Sequence, residues 1–201
     1  MKFMHQAAIA SLILLSACGP KAVKTIQPVS ASLHNASSIA DVQVTLSPLA
    51  QTVMDKFEAK AAEKRVEAGL APVDATAAAA EATRDQYATL PFAQMFELVV
   101  KDVAREQGLV SGRPLKVAVE IDTLKTANAG MAMLAGSSDQ LAGQVNLLDA
   151  QSGEKLGAFY VDVINSHAGL LGLAMRGGGI REKLSQEFAV HIADQLKGKG
   201  K

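Results

Sequence analysis

Tryptophan is absent, and aromatic residues make up only 4% of the chain. Such a sequence has little with which to stack a sugar ring or a nucleobase. Neither sign of charge is in excess: 20 basic and 20 acidic residues give a formal net charge of +0. That balance argues against nucleic acid as a partner. The basic stretch at 197–201 (KGKGK) reads as a frayed, solvated terminus. Beyond the N-terminus, no apolar run approaches the about 20 residues that a transmembrane helix requires. Cysteine is scarcest, with one among 201 residues. One thiol cannot close an intramolecular disulfide, and with no paired histidine spacing it leaves no zinc ligand set. No metal and no cofactor are expected.

Catalytic patterns are missing as well. The chain contains no G-x-S-x-G, and no G-x-G-x-x-G follows a strand pattern. Gly172 and Gly177 have the spacing of a phosphate-binding loop, but Gly178 and Gly179 stand where Lys and Ser/Thr are needed. A helix opening after Gly179 could hold an anion near Arg176 and Arg181; a flexible hinge explains the glycines equally. Asp162, Ser166 and His167 are close in sequence, yet neighbours on one strand point to alternate faces and do not assemble a triad. His34 falls in a linker-like stretch and His191 on a terminal helix pattern. The reading is that the protein is not an enzyme.

What is present begins at the N-terminus. Lys2 precedes an uncharged apolar run of 11 residues at 7–17 (AAIASLILLSA). Its length fits the apolar core of a signal peptide and is too short to span a bilayer. The lone cysteine follows at once. Leu15-Ser16-Ala17-Cys18 resembles the lipobox of bacterial lipoprotein precursors. The chemistry suits these residue types. A thiolate can attack a diacylglycerol donor, and small residues before it fit a narrow peptidase site. The resemblance implies cleavage before Cys18, a thioether-linked diacylglycerol on its sulfur, and acylation (palmitate or a similar chain) of the new amine. Several acyl chains, at about 0.8 kcal/mol per buried methylene, make a stable anchor. Gly19 rather than Asp follows the cysteine. In the sorting pattern of enteric-type bacteria this implies an outer-membrane lipoprotein that faces the periplasm.

The expected organisation is a signal peptide at 1–17, a lipidated flexible tether at 18–38, and a single α/β periplasmic domain at 39–201. The tether mixes Pro, Ser, Ala and Lys without period. It would span roughly 25 Å as a coil and about 65–70 Å fully extended, so the domain could stand clear of the headgroups. Val42, Val44 and Leu46 alternate in a first strand. Ser47-Pro48 then opens a helix as N-cap and first residue. Its stripe is Leu49, Ala50, Val53, Met54, Phe57 and Ala61, within an Ala-rich helical insert at 49–88 whose second helix runs over 75–87. A further helix after Pro91 aligns Phe92, Met95, Phe96, Val99 and Val103, and Gly108 stops it. Leu115, Val117, Val119 and Ile121 alternate with polar or small residues; Leu141, Gly143, Val145 and Leu147 alternate again. A turn at 149–153 leads to a return strand at 156–164. Ile180, Leu184, Phe188, Ile192 and Leu196 define a closing helix.

This order predicts an α/β (α+β) two-layer sandwich: a mainly antiparallel sheet of about four strands with helices on one face. The meander brings two apolar, glycine-rich, acid-free segments, 127–136 and 168–179, to one edge. Met131, Met133, Leu134, Leu170, Leu171, Leu173 and Met175 could there form an adaptable interaction patch, or else fold inward and cap the core.

From about residue 90 the chain resembles a loose class of uncharacterised bacterial envelope lipoproteins. The resemblance is carried by the helix ending Glu106-Gln107-Gly108, the alternating strand at 115–122, the hairpin VNLLDAQSGEKL at 145–156, the glycine-rich segment and the terminal helix. It implies a small α/β domain accessory to transport or outer-membrane assembly, and carries over no catalytic residue. The functional expectation is a non-enzymatic lipoprotein, bound to the membrane by its lipid and to an envelope protein partner. The alternatives are a carrier of lipid or a small hydrophobe at the Gly/Met-rich edge, and a periplasmic enzyme.

Overall fold

The computed structural model describes residues 22–67, 90–125, 137–167 and 180–199. Among them the chain order is β1 (Val23–Gln27), a 3-10 turn (Ala31–Leu33), β2 (Ser37–Leu46), α1 (Pro48–Glu67), α2 (Phe92–Glu106), β3 (Arg113–Lys125), β4 (Ser137–Asp149), β5 (Lys155–His167) and α3 (Ile180–Leu196). The strands form one sheet in the order β1-β5-β4-β3-β2. The meander β3-β4-β5 and the β1–β5 pair are antiparallel; β2 runs parallel to β3. A parallel pair cannot be closed by a tight turn, and the connection carrying α1 and α2 supplies the crossover. The class is the expected α/β sandwich.

Two expectations need correction. The sheet has five strands rather than about four, and the added strand comes from the supposed tether. From Val23 onward residues 18–38 are built into the fold. Val23 to Gln27 pair with β5, and Leu33 is 1% exposed in the core. Pro28, Ser30 and Ser32, which suggested a linker, lie in the turn between β1 and β2. That turn is held by Ser30 N–H to Leu156 O and Asn35 N–H to Leu196 O. The composition of a linker and that of a well-bonded turn are alike.

The core lies between one sheet face and the helices. Leu115, Val117, Val119 and Ile121 of β3 are buried with Leu141, Val145 and Leu147 of β4 and Phe159, Val161 and Val163 of β5. Against them α2 buries Phe92, Met95, Phe96, Val99 and Val103, and α3 buries Leu184, Phe188, Ile192 and Leu196. The i, i+4 spacing in α3 sets these on one stripe. The Phe96 ring meets Phe188 edge-on at 5.4 Å and Phe92 at 5.6 Å.

Helix α1 begins at Pro48 as the sequence implied, with Ala50 N–H donating to Ser47 Oγ at 3.3 Å. Its buried line is narrower than expected. Ala50 and Met54 are buried and Val53 and Phe57 half-buried, but Leu49 is 73% exposed. Glu58 in turn caps its neighbour: Phe92 N–H donates to Glu58 Oε1 at 2.7 Å, replacing the side-chain cap that Pro91 cannot give. The helix expected at 75–87 lies outside the described residues.

Candidate functional site

The ends of the strands define the region to which sequence analysis pointed. Lys125 at the end of β3 pairs with Gln140 of β4, which pairs with Ile164 of β5. Ser137 at the start of β4 pairs with His167 at the end of β5. The segments 126–136 and 168–179 therefore leave and re-enter the sheet at one end, called the tip below. The patch residues Met131, Met133, Leu134, Leu170, Leu171, Leu173 and Met175 lie outside the described residues, as does Cys18.

The chain upstream of β1 arrives at the same end. Strand β1 is antiparallel to β5, with Val23 opposite Val161, and Asp162 N–H donates to Ala22 O at 2.8 Å. Nothing in the sequence placed the N-terminal link there. Its one legible sign was β-branched Val23, Thr25 and Ile26 within the supposed tether.

The sheet face away from the helices is polar near the tip. A bulge between Ile121 and Thr123 leaves Asp122 unpaired in the ladder. Its Oδ1 accepts from Tyr160 Oη and from Thr123 Oγ1, both at 2.8 Å. Burial and the bond to Asp122 push the Tyr160 hydroxyl up to about 12. Beside it Gln140 Nε2 donates to Asp162 Oδ1 at 2.7 Å. Asp162 is thus held by a glutamine. Ile164, on the same face and level with Lys125, is 45% exposed. Asp139, on the helix side with Leu141, is fully buried. The run Ser-Ser-Asp-Gln has no alternation that would have revealed it.

Other candidates resolve into structural roles. Arg181, offered as an anion ligand, lies 3.0 Å from Glu182 Oε1 and 3.5 Å from Glu58 Oε1, so its charge is met by two carboxylates. His34 packs its ring beside Gly198, within reach of α3's end, rather than lying in a free tether. His191 is half-buried on α3. Among the described residues no group of three His, Cys, Asp or Glu side chains could hold a metal, and no helix is long and apolar enough to cross a membrane.

The opposite end carries the strongest ionic cluster. Asp149 Oδ1 accepts from Ser152 N–H at 2.7 Å, Gln151 N–H at 3.0 Å and the Ser152 hydroxyl. Its Oδ2 meets Arg113 Nε at 2.6 Å. One side chain thus closes the β4–β5 turn, with Gly153 at φ 73°, and ties it to the start of β3. The Ser152 amide first, then the Arg113 guanidinium, hold the Asp149 carboxyl well below the usual carboxylate range. A depressed folded value stabilises the fold above the unfolded value of about 3.9, and that contribution is lost as pH falls through the folded value. Asp149→Asn is expected to melt lower than the parent at pH 7, with the gap closing progressively below about pH 4. Melting curves taken from pH 7 to pH 2 check this; a gap constant with pH would disprove it.

No family model matches the chain, and no curated protein matches it in sequence. Solved structures resemble it loosely. A PelC variant from Paraburkholderia phytofirmans, a dodecamer, shares 10% identity over 87% of this chain and 97% of its own, with a TM-score of 0.45. A DUF330 protein from Xanthomonas campestris shares 10% over 88% and 94%, at 0.47. A Caulobacter crescentus chain described as a lipoprotein shares 14% over 50% and 79%, at 0.34.

Proposed function

We propose that the protein is a non-enzymatic lipoprotein of the bacterial envelope, anchored through Cys18 in the outer membrane and facing the periplasm as an interaction or assembly accessory. One observation carries the reading: the chain's sole cysteine stands directly after Leu15-Ser16-Ala17 at the end of an 11-residue apolar run. Lipidation accounts for a thiol that has no disulfide partner in an exported protein. Met131, Met133, Leu134, Leu170, Leu171, Leu173 and Met175 are its proposed contact residues, because Met and Leu on acid-free, glycine-rich segments suit a surface that repacks against what it meets.

The test replaces the thiol. Cys18→Ser should leave the precursor uncleaved or release it from the outer-membrane fraction, and should abolish palmitate incorporation. Unchanged processing and fractionation would sink the reading. In the lipidated protein, Met133→Asp or Leu171→Asp should remove its crosslinks to envelope neighbours without lowering its melting temperature. A large drop in melting temperature would instead assign those residues to the core.

A further inference from the structure

We propose that the anchor holds the tip of the sheet against the bilayer, so that the first partner of that end is the lipid surface itself. This rests on the lipidation of Cys18 and goes beyond it. The observation is the position of Ala22. Its carbonyl is bonded to Asp162 N–H, and β1 enters the sheet from the tip side. Four residues separate Ala22 from Cys18. Fully extended, they reach about 14 Å. Strand β5 runs on from Asp162 to His167, five residues further, which at strand rise is about 17 Å. The strand end thus extends at least as far as the anchored cysteine can. A lipidated Cys18 lies in the headgroup layer, so the ends of β4 and β5 cannot be held clear of that layer. The tether expected from composition would have allowed a gap of tens of ångströms. Incorporation of β1 into the sheet removes it.

The described side chains near the tip fit such a neighbour. Ile164 is a large apolar side chain left 45% exposed, and it shares a row with Gln140 and exposed Lys125. An apolar side chain beside a long cationic one suits the boundary between acyl chains and anionic headgroups. The β4–β5 turn and the Arg113–Asp149 cluster lie at the other end of β5. Thirteen residues of strand hold them away, at about 40 Å from the tip.

The chain's only thiol is consumed by the lipid, so one introduced cysteine gives a unique label. Ser138→Cys at the tip, Gln151→Cys at the far turn and Lys24→Cys on the outer edge of β1 would each carry a fluorophore. The full lipidated proteins would be placed in phosphatidylethanolamine–phosphatidylglycerol vesicles containing headgroup-nitroxide lipid. Because about 40 Å of strand separates tip from turn, quenching at 138 should exceed that at 151 at least about fivefold. Equal quenching at the two, or strongest quenching at 24, would overturn the proposal; the second result means that the sheet lies on its edge. Inserting about 12 Gly/Ser residues after Gly19 adds roughly 20 Å of coil. It should reduce quenching at 138 to the level at 151. Persistence of quenching would overturn the claim that the short link positions the tip. Mass spectrometry of the N-terminal peptide separates the two readings. An unmodified Cys18 defeats both. A lipidated Cys18 with even quenching defeats only the orientation.

Discussion

Val119→Asp is expected to abolish folding near neutral pH, while Glu120→Gln leaves the domain stable. The two residues are adjacent on β3, and strand geometry sends their side chains to opposite faces. Val119 is 2% exposed among the packed residues of the core, whereas Glu120 lies on the open face. Val119 pairs with Val145 on one side and with Val44 of β2 on the other, and none of the three can donate a hydrogen bond from its side chain. An aspartate there loses the transfer energy of the valine and buries a carboxylate without a partner. Together these should cost more than about 3 kcal/mol. That is a large share of the roughly 5–15 kcal/mol by which domains are stable. Glu120→Gln should stay within about 0.5 kcal/mol. The pH dependence identifies the cause. Burial raises the new carboxyl's folded value, so the penalty grows as pH rises above the unfolded value of about 3.9 and shrinks below it. Urea melts of both variants at pH 7 and pH 4 check this. Equal midpoints would mean that the strand register is wrong.

The legibility of each element followed from how one-sided its burial is. Strand β3 alternates from Leu115 to Ile121 because one face meets helices and the other meets water, and sequence periodicity reports that directly. Helices α2 and α3 were legible for the same reason. Strand β1 was not. Four of its five residues are exposed, so its place depends on main-chain pairing with β5, which leaves no pattern in side-chain identity. The parallel pairing of β2 with β3 was equally hidden, because alternation fixes a strand's buried face and not its neighbour's direction. Leu49 shows the limit of stripe counting. It is apolar and adjacent to the buried line, yet it points into solvent. At the candidate site, the meander argument located the end from which the two glycine-rich segments depart, and the register agrees. Missing was the arrival of the N-terminal link at that end. It changes the expected distance between domain and membrane from tens of ångströms to near contact. The seven apolar residues themselves lie outside the described residues, and their role stands as a proposal.

Phe96→Ala is the second change expected to have a large effect, for a reason unrelated to charge. Phe96 is fully buried in the middle of α2. Its ring is the shared member of two aromatic contacts, with Phe92 four residues earlier and with Phe188 on α3. The Phe92 pair lies within one helix and survives as local structure. The edge-on Phe188 pair joins two helices, and α2 and α3 form the layer that covers β4 and β5. Truncation to alanine removes the ring and leaves a cavity that two packed helices can only partly close. Losses of about 3–5 kcal/mol are usual for such a site, and the ring contacts are part of that figure rather than additional to it. Phe96→Leu, which keeps most of the volume, should recover more than half of the loss. The deficit should be the same at pH 4 and pH 7, in contrast to Val119→Asp, because no proton is involved. A double variant with Phe188→Ala should cost less than the sum of the two single changes, since the residues touch. Additive costs in urea melts would show that the ring contact does not couple the helices.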